Sequence, residues 1–303
     1  MKRIGIVLLA VTCSGALAGN FVLREENDVF AGSDGRYTQG LELMYGYSST
    51  TTVNVARWFG VRNLMYTPAD ISIAEPQPDD RPWAGLTALV YEEWRYWKNS
   101  YVQAEYMLGV VGEWSESEQI QKWFHGLIGS EEPKGWDNQI PNEPFVNAMV
   151  TLHRPWWTIG KPDEWYADLT GTCGGSLGTA FVNVEVGGDI RAGWNVPMDY
   201  RSALIKPTVS RGGFSAYVFA GMEGRFVLHN VTLGGSLFQD GPSQTMEPFV
   251  HDLKTGFAVG VRGIANGMDA GLSYCFVHRS KEFEGQDESA RFGSVTISVV
   301  RTF

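Results

Sequence analysis

Along most of this chain apolar residues alternate with small or polar ones. A period of two places successive side chains on opposite faces of a β-strand. The pattern is clearest at 254–262: Thr255, Phe257, Val259 and Val261 point one way, and Lys254, Gly256, Ala258, Gly260 and Arg262 the other. Segments of this kind, separated by clusters of Gly, Asn, Asp and Pro, predict twelve strands. They lie at about 20–28, 36–48, 84–98, 100–113, 143–153, 164–171, 177–191, 212–222, 224–238, 249–264, 268–280 and 290–303. Asn266-Gly267 is a strong hairpin signal between two of them. Two segments break the pattern. Residues 54–83 read as a long connection carrying prolines and acidic residues. Residues 115–129 read as a helix, with Ser115 and Glu118 as a capping box, Gly129 as its stop, and an apolar stripe of Ile120, Trp123, Phe124 and Leu127.

The ends of the chain place these strands. Met1-Lys2-Arg3, an apolar run from Ile4 to Val11 and Ala16-Leu17-Ala18 form a secretory signal cut after Ala18, leaving 19–303 as one domain. A lipoprotein signal at Cys13 is disfavoured by Thr12 before it. No later stretch is long and apolar enough for a transmembrane helix. At the C-terminus Arg301, Val299, Ile297, Val295 and Gly293 alternate with Thr302, Val300, Ser298, Thr296 and Ser294 before the terminal Phe303. That mostly apolar-out, polar-in strand is like the closing strand of an outer-membrane barrel; an ordinary sandwich strand is the alternative. The fold class is therefore all-β, a transmembrane antiparallel barrel of about twelve strands with a short loop helix.

Composition agrees. The 36 Gly and the 11 Trp, 12 Tyr and 16 Phe, with only 19% charged residues, suit many strands with aromatic girdles at two interfaces. A formal charge of −10 excludes nucleic acid as a natural partner. Acidic groups beside anionic lipid repel it unless a cation intervenes, which points to a divalent metal. Outside the signal only Cys173 and Cys275 remain, about a hundred residues apart, and packing roles are expected for both.

Two polar clusters could carry chemistry. One is Glu25-Glu26-Asn27-Asp28 with Asp34-Gly35-Arg36-Tyr37-Thr38-Gln39-Gly40, across the first turn; a solvated acidic hairpin is its plain alternative. The other surrounds His125, the one histidine of five on the predicted helix, with Glu131, Glu132, Lys134 and Asp137 nearby. Gly174-Gly175-Ser176-Leu177-Gly178 formally matches the nucleophile elbow, but that motif needs a strand-to-helix turn and its flanks read as β-hairpin.

Three blocks, Glu26-Asn27-Asp28…Arg36-Tyr37-Thr38-Gln39-Gly40-Leu41, Asp80-Arg81-Pro82-Trp83-Ala84-Gly85, and His125-Gly126-Leu127-Ile128-Gly129…Pro133-Lys134-Gly135-Trp136-Asp137-Asn138-Gln139, resemble the lipid A 3′-O-deacylase family. They occur in the family's order, and the resemblance spans nearly the whole mature chain. The resemblance implies a twelve-stranded outer-membrane barrel with its active site at the outer leaflet. There it would remove an ester-linked acyloxyacyl chain from lipid A, with calcium as cofactor and lipopolysaccharide and outer-membrane lipid as partners. Carried onto this sequence, it makes His125 the general base and Asp28 and Glu131 the calcium ligands. Asn27 shapes the site, and Thr38 and Arg81 support it or touch substrate; Lys134 and Trp136, in the third block, join the substrate-binding set.

The chemistry is sound on its own terms. A neutral histidine can take a proton from water near neutral pH, and a hard cation held by oxygen ligands stabilises a developing oxyanion. A tetrahedral zinc site wants more His or Cys than either cluster offers. Trp83, Trp123, Phe124 and Trp136 are candidates for an acyl-chain groove, or simply girdle and helix-packing aromatics. Two other functions stay open: a serine-type outer-membrane phospholipase, and a small porin with Lys254 and Arg262 in its lumen. Twelve strands give a narrow interior for an open channel.

Overall fold

The computed structural model describes residues 19–33, 37–48, 55–97, 100–161, 163–197, 213–265 and 267–301. The expected signal at 1–18, the Asn266 half of the hairpin turn and the terminal Thr302-Phe303 lie outside them. Twelve antiparallel strands close into one barrel. They are β1 (Gly19–Asn27), β2 (Tyr37–Ser48), β3 (Val55–Tyr66), β4 (Ala84–Trp97), β5 (Ser100–Val111), β6 (Glu143–Gly160), β7 (Trp165–Gly178), β8 (Phe181–Trp194), β9 (Phe214–Asn230), β10 (Phe249–Ala265), β11 (Met268–Arg279) and β12 (Ala290–Arg301). Each pairs with its sequence neighbours, and β1 pairs with β12, so no edge is left open. Closure lets the strands satisfy one another's backbone without water, as a bilayer requires. No helix among the described residues is long and apolar enough to cross a membrane.

The strand count matches expectation, but two assignments do not. β3 lies inside the segment read as a connection. It was hidden because Arg57, Arg62 and Asn63 interrupt its apolar pattern, although Arg62 points into the lumen and pairs with Glu42 and Glu105 at 2.6 and 2.8 Å. β9 is one strand where the sequence was divided at Glu223-Gly224-Arg225. Glu223 and Arg225 face inward and pair with each other, with Lys254 and with Asp252.

The barrel is apolar outside and charged inside. Leu43, Leu89, Leu108, Val184, Val218 and Phe226 are exposed on the outer wall. The lumen holds ion pairs such as Arg191–Asp168 at 2.6 Å and Arg279–Asp252 at 2.9 Å, the second of which lines a cavity of about 360 Å³. Lys254 contributes to this lining through Glu223 at 2.8 Å, while Arg262 sits half-exposed at the rim, 3.8 Å from Asp269. Cys275 is buried on the lumen side and packs there as expected. Cys173 is exposed on the outer wall, and both thiols are free. Ser176 lies within β7 with no helix after it, its hydroxyl bonded to Asn147 and to the Phe181 carbonyl. It is not an elbow nucleophile.

Five connections lie at one end of the barrel, 28–36, 67–83, 112–142, 231–248 and 280–289; at the other end the joints are short except between β8 and β9. The third carries the helix α1 (Ser117–Ile128), starting one residue later than a Ser115 cap implies. Glu116, at φ 58°, precedes it. Ser115 Oγ still receives the Ser117 N–H at 3.3 Å, but Glu118 turns to Lys122 at 2.7 Å instead of closing the box. Gly129 ends the helix as expected, at φ 72°, its N–H on the His125 carbonyl.

Candidate active site on the outer wall

Near the long loops the register of β1 to β4 lays out the outer face in rows. Ile297, Leu23, Leu43, Val61 and Leu89 are neighbours across five strands, and all are exposed. Two residues nearer the loops, the next row reads Val295, Glu25, Leu41, Asn63, Thr87. The row above reads Gly293, Asn27, Gln39, Met65, Gly85. In these two rows Gln39, Asn63 and Met65 are outward-facing yet buried.

What covers the wall at β3 and β4 is α1. Ser117 Oγ accepts from Asn63 Nδ2 at 3.0 Å, and the Ser115 carbonyl accepts from the Thr87 hydroxyl at 2.7 Å. Gly85 makes the close approach possible, because a Cβ there would lie 2.3 Å from Ser115 Oγ and 2.4 Å from Ser117 Oγ. Gly85→Val should therefore overpack this contact and weaken helix docking by about 1–3 kcal/mol. Faster tryptic cleavage after Lys122, with the barrel itself intact, is the expected readout.

The helix is oriented opposite to the expected amphipathic sense. Its buried positions are the polar Ser117 and Gln121, while Trp123, Leu127 and Ile128 are exposed and Ile120 and Phe124 half-buried. A helix on a soluble core turns its apolar stripe inward. Here the partner surface is the polar patch of a barrel whose outer wall is otherwise apolar, so the stripe faces away. Two of the aromatics proposed for an acyl groove serve instead to hold the helix. Trp83 and Trp136 are buried with ring centroids 5.1 Å apart, and Trp136 Nε1 donates to Gln121 Oε1 at 2.7 Å.

Ser117, Gln121 and His125 recur every fourth residue, so His125 continues the wall-facing stripe in the last helical turn. The reversal at Gly129 brings the Glu131 carbonyl back to His125 Nδ1, 2.5 Å away. A carbonyl can only accept, so Nδ1 carries the proton and Nε2 presents the lone pair. The Glu131 side chain is exposed beside it.

Asn27 ends β1 on the outward face, and its Oδ1 accepts the Val29 N–H at 2.9 Å, opening a short 3₁₀ turn at Val29–Ala31. Asp28 is 3% exposed, and its carbonyl accepts from Ala31 N at 2.9 Å and Ser33 N at 3.2 Å. The turn leans onto Gly293 and receives the Tyr274 hydroxyl at 2.8 Å, leaving Val29 and Phe30 exposed. Thr38 occupies an irregularity of β2 between Tyr37 and Gln39. Its hydroxyl lies 2.8 Å from that of Thr67, which donates to the Pro68 carbonyl, so Thr38 is the donor between them.

The remaining candidates lie elsewhere. Arg81 is fully buried at the loop end of the lumen, over the Tyr66 ring and 3.3 Å from Glu282, on the inner side of the wall that α1 covers. Burial pushes its guanidinium pKa down, with Glu282 and Tyr66 opposing. Lys134 is exposed, its backbone N–H on the Ile71 carbonyl at 2.9 Å. Nearby, the Ser72 hydroxyl and amide hold the Asp70 carboxyl below the usual range. The structure thus joins His125 to Glu131 and seats both beside a polar wall, while Arg81 belongs to the lumen mouth. Among the described residues no three His, Cys, Asp or Glu side chains come together as a metal cluster.

Sequence reasoning missed the wall itself. Glu25, Gln39, Asn63 and Thr87 sit at outward positions of an otherwise apolar surface. Their signal was a polar residue in the apolar phase of a strand, legible only once β3 is known to be a strand.

A family model described as outer membrane protein LpxR matches residues 4–301. Among solved structures, LpxR from Salmonella typhimurium aligns with a TM-score of 0.77 at 20% identity, covering 93% of this chain and 100% of that one. The β domain of the Bordetella autotransporter Brka gives 0.51 at 11% identity, covering 95% and 100%. Both likenesses are of fold. No curated protein sequence matches.

Proposed function

The chain belongs to the outer membrane protein LpxR family, and from that premise we propose that it is an outer-membrane esterase removing the 3′-acyloxyacyl chain of lipid A. The long-loop end faces outward in this reading, because outer-membrane barrels carry short periplasmic turns and longer external loops. The active site then opens to the outer leaflet, where lipid A resides.

The observation that carries the reading is the His125 Nδ1–Glu131 carbonyl contact on a helix docked against the outer wall. It fixes the tautomer whose Nε2 can take a proton from water. The resulting hydroxide adds to the ester carbonyl carbon. The acyl–oxygen bond then breaks, and the sugar oxygen recovers the proton from Nε2 to leave a hydroxyl. Asn27, with its Oδ1 engaged by Val29, has its amide nitrogen as the donor it can offer to the reacting oxygen.

Asp28 and Glu131 are the residues that would hold calcium. Their donor chemistry fits in kind: carboxylate oxygens with no sulfur or imidazole set, which a hard cation prefers. With two carboxylates, the remaining oxygens of its shell come from carbonyls, water and lipid phosphate. When bound, calcium supplies positive charge against the oxyanion and the lipid A phosphates.

Mass spectrometry of lipid A from cells producing the protein tests this. Loss of one acyloxyacyl mass is expected, and removal of calcium by a chelator should restore the parent mass. An unaltered lipid A profile with the barrel folded in the outer membrane would refute the deacylase reading.

A further inference from the structure

The outer wall changes from apolar to polar within one step along the strands, between the Leu23 row and the Glu25 row. An ionisable side chain on the membrane face of a barrel is unfavourable and points to function by default. Two acceptor oxygens in the Glu25 row are buried with no hydrogen-bond partner among the described residues: Glu25 Oε1 and Asn63 Oδ1.

Gln39, itself buried, is the polar neighbour of the Glu25 carboxyl, and Asn63 cannot relieve its oxygen by turning its side chain. Asn63 Nδ2 donates to the Leu86 carbonyl at 3.2 Å and to Thr87 Oγ1 at 2.7 Å, whose own proton goes to Ser115. Both partners can only accept there, so the amide cannot flip and Oδ1 stays an acceptor.

The spacing limits what could satisfy them. Leu41 separates the two residues, which puts them two strands apart, roughly 9.5 Å along the hydrogen-bonding direction. A single cation holds its oxygen ligands at about 2.3–2.6 Å, too close to bridge both. An extended ligand with two separate hydrogen-bond donors matches.

We propose that Glu25 and Asn63 form an acceptor pair for hydroxyl and amide N–H groups on the acyl chains of a hydroxyacylated glycolipid lying beside α1. The pair selects such a lipid over one whose chains carry no donors. Rejection follows from the unpaired acceptors, because a site built to hydrogen-bond a donor strongly disfavours the analogue lacking it. This rests on the reading of the outer wall as the substrate groove. Glu25 is a positioning residue in it, separate from the water-activating step of His125.

The test measures binding rather than turnover. Full-length barrel carrying His125→Asn, with calcium present, is titrated with two probes in detergent micelles: lipid A with 3-hydroxyacyl chains, and dipalmitoyl phosphatidylcholine, which has no hydrogen-bond donor. Adding Glu25→Leu should weaken lipid A binding about tenfold and leave phosphatidylcholine unchanged, while Glu25→Gln, which keeps an acceptor oxygen, retains most of the affinity. Urea unfolding of Glu25→Leu should show a barrel at least as stable as its parent. Equal lipid A affinity in the Leu variant, no lipid A binding by the parent, or a destabilised Leu barrel would each overturn the proposal. Failure of the wild type to hydrolyse lipid A while these binding differences hold would remove the deacylase reading alone.

Discussion

His125→Asn should lower lipid A deacylation by about 10²–10⁴-fold, the range general-base catalysis supplies. Asparagine suits the test because its Nδ2 can still donate to the Glu131 carbonyl, as Nδ1 does in the parent. The loop reversal at Gly129 is kept and only the proton-accepting Nε2 is lost. A drop in turnover with unchanged lipid A affinity would assign the loss to the chemical step. Retention of more than about a tenth of the parent rate would remove His125 as the base.

Trp136→Ala should abolish activity by a different route. Trp136 is 1% exposed, packs on Trp83 and is the donor to Gln121 on the wall-facing side of α1. Truncating a buried tryptophan costs about 3–5 kcal/mol, and the stranded Gln121 acceptor adds about 1–3 kcal/mol. None of this falls on the strand ladder, because Trp136 belongs to the connection at 112–142. The helix should therefore undock from an intact barrel. Tryptic cleavage after Lys122 is expected to become at least a hundredfold faster, with deacylation lost and the urea midpoint of the barrel unchanged. Protection of Lys122 at the parent level would show that the two tryptophans do not hold the helix.

These two variants separate contributions that sit at opposite ends of one device. In the proposed reaction His125 acts through a single nitrogen, and its position is inherited from contacts made by Gly85, Asn63, Gln121 and Trp136 several residues away. Gly135 belongs to the same set: a Cβ there would lie 2.5 Å from Trp83 Nε1. Two glycines in the quoted blocks, Gly85 and Gly135, thus serve close packing of the loop against the wall. The blocks in which they occur carry the support of the helix as well as the residues proposed for the reaction.

The sequence by itself determined the barrel, most of its strands and the helix with His125. Alternation at a period of two is a local property, set by which face meets apolar surroundings, and it survives in β10 and β12 almost residue for residue. Gly129 as a helix stop is equally local, since it depends on one positive φ. Where charge entered a strand, local reading failed. Arg62 hid β3 and Glu223 divided β9, because a charged lumen stabilised by cross-strand partners exists only after the barrel closes. Only the tertiary structure decided that α1 turns its polar side to the wall, that Trp83 and Trp136 are supports, and that Arg81 lies inside while His125 lies outside. Amphipathicity tells a helix to have two faces; which face is buried depends on the surface it meets, and that surface exists only once β3 and β4 are paired in the barrel wall.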